Sequence, residues 1–172
     1  QHVIKGDFKL KDVTVKFDDH DALSKVVMDI PARSKVAIVG PSASGKSTLL
    51  RLLQGLLKPN EGLVDVDNNN MASLDIAHYR SQVALVDLYP TFFAGSIEQN
   101  IRRVRPNISV REFEEVLENS GLGLLAKDLQ DGLSTEIDQT ASNLSQTHKI
   151  VVGLARALAP SPNLLMLDET FN

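Results

Sequence analysis

The chain has 172 residues, of which 42% are hydrophobic and 23% are charged, the composition of an ordinary globular domain. A formal net charge of −4 supplies no basic field for DNA or RNA, so a nucleic-acid partner is not expected. Cysteine is absent, which excludes disulfides and thiolate metal sites, and the scattered histidines His2, His20, His78 and His148 are not at ligand spacing.

Three strands are predicted at the start of the chain. Residues 8–17 alternate in two phases, and the slip at Lys11-Asp12 indicates a β-bulge. A second short strand is predicted over 26–30, after a polar turn. Residues 36–39, VAIV, are apolar on both faces, which is typical of a strand in the middle of a covered, parallel sheet.

Helices and strands alternate in the rest of the chain. Apolar residues at helical spacing predict a helical insert over residues 96–129, and Pro160 and Pro162 stop a last helix over about 145–158. A fully apolar strand ending in Asp168-Glu169 follows. The helices are predicted over 46–57, 76–80, 97–103, 110–117 and 145–158, and the strands over 63–66, 83–86 and 164–167.

The strongest chemical motif lies between the strand over 36–39 and the helix that follows it. Residues 40–48 read GPSASGKST, the GxxxxGK[ST] pattern of a loop whose backbone N–H groups hold nucleotide phosphates. In that pattern Lys46 reaches the β- and γ-phosphates and the Ser47 hydroxyl ligates Mg²⁺. The predicted ATP-binding residues are Gly40, Pro41, Ser42, Ala43, Ser44, Gly45, Lys46, Ser47 and Thr48.

An acidic pair follows the strand over 164–167. Ligands of open α/β sheets collect at the carboxyl ends of the strands. The acidic pair therefore supplies a carboxylate, which the phosphate loop lacks. Asp168 is expected to hold Mg²⁺, directly or through water, and Glu169 to activate the attacking water as a general base.

With both motifs in place, the chain resembles the ATP-binding cassette (ABC) family over nearly its whole length. Residues 93–101, FAGSIEQNI, are similar to an exporter-type segment, and 154–158, LARAL, match the helix after the family signature LSGGQ. Here that signature reads Leu144, Ser145, Gln146, Thr147 and His148. Phe17 lies where such domains carry an aromatic residue that stacks on adenine, and the alternative is that it belongs to the core.

The resemblance implies an α/β P-loop NTPase fold with an N-terminal antiparallel β portion and a helical subdomain. It implies one cassette over residues 1–172 that is incomplete at its C-terminus, with an ATP-binding core over 1–95 and 159–172 and a helical subdomain over 96–158. It also implies an ATPase that uses ATP and Mg²⁺ at the cytoplasmic face of a membrane. Its partners would be the transmembrane domain of the same transporter and a second cassette, identical or different.

The sequence departs from the family pattern in the segments that face these partners. Gln146 and Thr147 replace two glycines of the signature, His148 replaces a glutamine, and Leu88 stands where the Q-loop glutamine is expected. Gln82 lies nearby but is expected to be a surface residue. Two further functions therefore stay open: a regulatory cassette that binds ATP and hydrolyses it poorly, and a P-loop kinase or GTPase, for which no lid or NKxD motif is visible.

Overall fold

The structure, a computed structural model, describes residues 3–138 and 140–168 and divides into two units, the first ending at Ala84 and the second beginning at Leu85. The first unit contains an antiparallel sheet in the order β2-β1-β3-β4. Its strands are β1 (Phe8–Phe17), β2 (His20–Ile30), β3 (Glu61–Val66) and β4 (Asn69–Asn70), and its helices are α1 (Lys46–Leu53) and α2 (Ile76–Arg80). This confirms the predicted N-terminal antiparallel portion.

The predicted bulge in β1 is present. The register against β2 shifts between Leu10 and Val13, and Asp12 adopts a left-handed conformation with φ 51°. Because the two sides of the bulge are in opposite phase, Phe8, Leu10, Val13 and Val15 are all buried. Strand β2 begins at His20 instead of residue 26, since its pairing with β1 continues up to the turn where Phe17 faces His20.

Helix α1 ends at Leu53, before the predicted residue 57. Gly55 has a φ of +72°, its N–H donates to the Leu52 carbonyl, and the Leu56 N–H donates to the Arg51 carbonyl, both at 2.9 Å. This pair of bonds is a Schellman motif, which closes the helix even though the leucine pattern continues beyond it.

Residues 36–39 were predicted to form a buried central strand, and that prediction is wrong for the described structure. None of the strands found between residues 3 and 168 pairs with this segment, and Val39 is 88% exposed. An apolar run becomes a strand only where a neighbouring strand supplies its hydrogen bonds.

Helices dominate the second unit. They are α3 (Ile97–Arg102), α4 (Val110–Ser120), α5 (Leu122–Leu125) and α6 (Gln146–Leu158), and the first three all pack against α6. The predicted helices of the insert are thus confirmed with small shifts at their ends. Ile97, Ile101, Leu122, Val152 and Ala155 are fully buried in the core of this unit. None of the helices in the described ranges has the length and apolarity needed to cross a membrane.

The second unit also contains short stretches of sheet. Strand β5 (Val83–Asp87), whose first two residues precede this unit, pairs with β8 (Leu164–Asp168), and β6 (Gly95–Ser96) pairs with β7 (Glu136–Ile137). The fully apolar sequence of β8 predicts a strand that is buried on both faces. In the structure Met166 is buried, whereas Leu165 and Leu167 are exposed. Alternating faces of β8 therefore differ in burial, which its uniformly apolar sequence does not reveal.

Helix α4 begins with a capping box that has an electrostatic consequence. The Glu112 carboxylate accepts bonds from the Ser109 hydroxyl at 2.6 Å and the Ser109 N–H at 3.0 Å, and it pairs with Arg105. These hydrogen bonds to Ser109, with the Arg105 guanidinium, lower the pKa of Glu112 from 4.5 to about 2.

We predict that Glu112 makes the free energy of unfolding depend on pH in the acidic range. Because its pKa is lower in the folded state, the stabilisation is present above pH 4.5 and is lost as the pH falls towards about 2. Urea unfolding at several pH values should show that Glu112→Gln destabilises the chain near neutral pH and that this difference shrinks in acid. Glu118→Gln, the same charge change at an exposed position of α4, is the control; an identical pH profile for both variants would contradict the assignment.

Candidate nucleotide-binding site

The loop between residue 39 and helix α1 contains a tight turn followed by a left-handed glycine. The Ser44 N–H donates to the Pro41 carbonyl at 3.3 Å, and Ala43 has a φ of 61°. Gly45 then has a φ of 89°, and α1 begins at the next residue. The chain thus reverses over a few residues and enters the helix with its N-terminus facing the loop.

Gly45 is required here for two reasons. Its left-handed conformation is costly for any residue with a Cβ. In addition, a Cβ at this position would lie 2.4 Å from the Ala22 carbonyl oxygen and 2.9 Å from Leu23 Cδ2. The loop therefore rests directly on strand β2 of the same unit.

The N-terminus of α1 has no side-chain cap. The first intrahelical bond runs from the Leu49 N–H to the Gly45 carbonyl at 2.8 Å, and Gly45, the N-cap, has no side chain to cap the helix. Backbone N–H groups at a helix start point outward and carry a partial positive charge, which attracts anions. Gly40, Pro41, Ser42, Ala43 and Ser44 are exposed, and Gly45, Lys46, Ser47 and Thr48 are half-buried.

Lys46 spans the loop from the first position of α1. Its Nζ donates to the Pro41 carbonyl at 2.8 Å and to the Gly40 carbonyl at 3.1 Å. The ammonium is thus held next to the uncapped N–H groups, so two kinds of positive charge converge on one small region. The Ser47 hydroxyl lies one position further along the same turn.

Asp168 is the last residue of β8 and is partly buried. Glu169, the predicted general base, lies outside the described residues. Within the described ranges there is no group of three or more histidine or carboxylate side chains that could hold a metal ion.

Phe17 ends β1 at the turn into β2, and 48% of its surface is exposed. The alternative that it belongs to the core is therefore wrong. An exposed ring at a strand end has a face available for stacking.

The signature segment forms the start of α6. Ser145 is the N-cap, its Oγ accepts the His148 N–H at 3.2 Å, and it shares a second hydrogen bond with His148 Nδ1. His148 Nε2 is buried without a hydrogen-bond partner. Leu144 is buried and Thr147 is exposed.

Gln146 and Leu88, two of the positions predicted to depart from the family pattern, contact each other. The Gln146 Nε2 donates to the Leu88 carbonyl, so this side chain lies along the loop after β5. Sequence reasoning did not foresee this contact, because it joins residues 58 positions apart and one of them takes part through its backbone. Gln82, expected at the surface, is half-buried, and its Oε1 accepts the Ile4 N–H at 3.0 Å.

Comparison with known proteins identifies the family of this chain. The profile of the family described as "ABC transporter" matches residues 23–172. The chain is similar to the uncharacterized ABC transporter ATP-binding protein YknV of Bacillus subtilis (strain 168), with 34% identity over 168 residues that make up 96% of this chain and 28% of that protein. It is 35% identical over 151 residues to the ABC multidrug transporter MDR1 of Cryptococcus neoformans var. grubii, covering 86% of this chain and 11% of that protein.

A solved structure shares the fold. It is described as a bacterial Atm1-family ABC exporter with ATP bound, and it matches 99% of this chain and 30% of its own chain with a TM-score of 0.90 and 29% identity. The chain thus spans less than a third of the length of these similar proteins. The α/β P-loop NTPase class predicted from the sequence is confirmed. The chain belongs to the ABC transporter family, as one of its ATP-binding domains.

Proposed function

We propose that this chain binds the phosphates of MgATP at residues 40–48 and hydrolyses ATP to power export across a membrane. The observation that carries the proposal is the uncapped N-terminus of α1 with the Lys46 ammonium beside it. A triphosphate supplies the anionic oxygens for which both groups are suited. A GTPase or kinase is not favoured, because the family to which the chain belongs is that of ABC transporters.

In this proposal Mg²⁺ would have few protein ligands. The Ser47 hydroxyl and the Asp168 carboxylate are the hard oxygen donors that Mg²⁺ prefers, and phosphate and water oxygens usually complete its shell. The ion would neutralise charge that develops on the phosphates. Glu169 would orient or activate the attacking water, and Phe17 would stack on adenine, a contact of about 1–3 kcal/mol.

The partners follow from the family and stay a proposal for this chain. A transmembrane domain of the same transporter would place the cassette at the cytoplasmic face of the membrane. A second cassette, identical or different, would receive residues 144–148 over its own nucleotide. In this arrangement residues 1–95 and 159–172 form the ATP-binding core and 96–158 the helical subdomain.

We predict that Lys46→Ala weakens binding of a fluorescent ATP analogue in the presence of Mg²⁺. The loss of charge-assisted hydrogen bonds to phosphate should raise the Kd by about 10- to 100-fold. Lys58→Ala removes the same charge at an exposed position away from the loop and should leave the Kd unchanged. Equal affinity of the Lys46→Ala variant and the wild type would contradict the assignment of the loop.

Hydrolysis is tested separately from binding. We predict that the chain, paired with its second cassette, releases phosphate steadily and that Glu169→Gln lowers this rate by about 100-fold or more while ATP still binds. Tight binding with negligible turnover in the wild type would instead favour the regulatory cassette, the function that Leu88 and the altered signature suggest.

A further inference from the structure

One face of α6 holds the loop that follows β5. The Gln146 side chain donates to the Leu88 carbonyl, and the Arg156 guanidinium donates to the Thr91 carbonyl. Between them, Gly153 lies against Pro90. Steps of seven and three residues bring these positions to the same side of a helix, so α6 contacts one short loop from its first turn to its last.

The middle contact depends on the absence of a side chain. A Cβ added at Gly153 would come within 3.0 Å of Pro90 Cβ and 3.1 Å of Pro90 Cγ. This distance is tighter than ordinary packing, so glycine lets the helix backbone approach the loop closely. Rotation of α6 relative to the loop would break this contact along with the two hydrogen bonds.

The far end of the loop is also fixed within the second unit. The Asn100 side chain, which is buried, accepts the Phe93 N–H and donates to the Phe93 carbonyl, both at 2.9 Å. The Arg156 guanidinium lies 5.7 Å from the centre of the Phe92 ring and 5.2 Å from that of Phe93. Residues 88–93 are therefore anchored at their end, and Gln146 supplies the hydrogen bond at their beginning.

We propose that Gln146 is a positioning residue that ties the loop after Asp87 to the signature segment, so that the two change position together. Its significance for ATP rests on the proposed function, in which the signature segment meets a nucleotide. The contact uses the backbone carbonyl of Leu88, so it does not need an oxygen-bearing side chain at that position. Gln146, where the resemblance predicts a signature glycine, is thus linked to Leu88, where it predicts the Q-loop glutamine.

The test is hydrogen exchange of the chain, without nucleotide, in variants that keep or remove the donor. Gln146→Glu has the same shape and a favourable charge for the start of a helix, but its carboxylate cannot donate to the Leu88 carbonyl. We expect the amides of residues 87–89 and 91–93, among them the Phe93 N–H that donates to Asn100, to exchange about two- to tenfold faster, the factor that one ordinary hydrogen bond represents. Strand β1 should keep its protection. Gln146→Ala should behave as the glutamate variant does.

Two further variants separate positioning from a general structural role. Gln146→Lys restores a donor of sufficient length and should return the protection of these loop amides towards the wild-type level. Thr147→Ala, at the exposed neighbouring position, should change nothing in the loop. Unchanged exchange in the glutamate variant, a uniform increase over the whole chain, or failure of the lysine to rescue would each overturn the proposal.

The readout does not depend on ATP, so failure here differs from failure of the proposed function. If the Lys46→Ala variant binds ATP like the wild type but Gln146→Glu loosens the loop, the positioning role stands and the nucleotide assignment falls. If Lys46→Ala loses ATP affinity but Gln146→Glu leaves the loop unchanged, the nucleotide assignment stands and Gln146 is an ordinary surface residue.

Discussion

The left-handed turn at Gly45 is the constraint on which the candidate site depends. Where a Cβ would stand, the carbonyl oxygen of Ala22 is already in place, so sheet and loop are in direct contact. This contact fixes where α1 starts, and the start of α1 fixes both the outward-pointing N–H groups and the Lys46 side chain. The chemistry proposed for the loop therefore follows from backbone geometry more than from side-chain variety.

Much of this site could be predicted from the sequence, because a phosphate loop is a local structure. Gly45, Lys46 and Ser47 stand at fixed spacing, and the same few residues determine the turn, the helix start and the charge. The bulge in β1 and the helices α2, α3, α4 and α6 were predictable for the same reason, since the spacing of apolar residues and the capping residues are local signals.

What could not be predicted depends on distant neighbours. Residues 36–39 have the composition of a central strand, yet strand formation needs a partner that their own sequence does not specify. Helix α1 ends early because Gly55 takes a left-handed conformation, against a leucine pattern that continues to residue 57. The hydrogen bond from Gln146 to Leu88 joins residues far apart in the chain. From the sequence, each of these residues could only be recognised as a predicted departure from the family pattern.

These departures acquire a physical meaning once the second unit is seen as loops and helices packed around α6. Gln146 lies along the loop instead of capping the helix, and Ser145 retains the N-cap. Residues 144–148 thus form an ordinary helix start, while the Gln146 side chain donates a hydrogen bond to the neighbouring loop. The two positions predicted to depart from the family pattern, Leu88 and Gln146, thus lie at the two ends of one hydrogen bond.

The most direct test of this account is Gly45→Ala, measured as the affinity for MgATP. Gly121→Ala is the matched comparison, because Gly121 is also left-handed, with φ +76°, but has nothing within 4 Å of an added Cβ. If the backbone turn sets the site, Gly45→Ala should raise the Kd for MgATP by about tenfold or more, while Gly121→Ala leaves it unchanged. A folded Gly45→Ala variant with wild-type affinity would contradict the account.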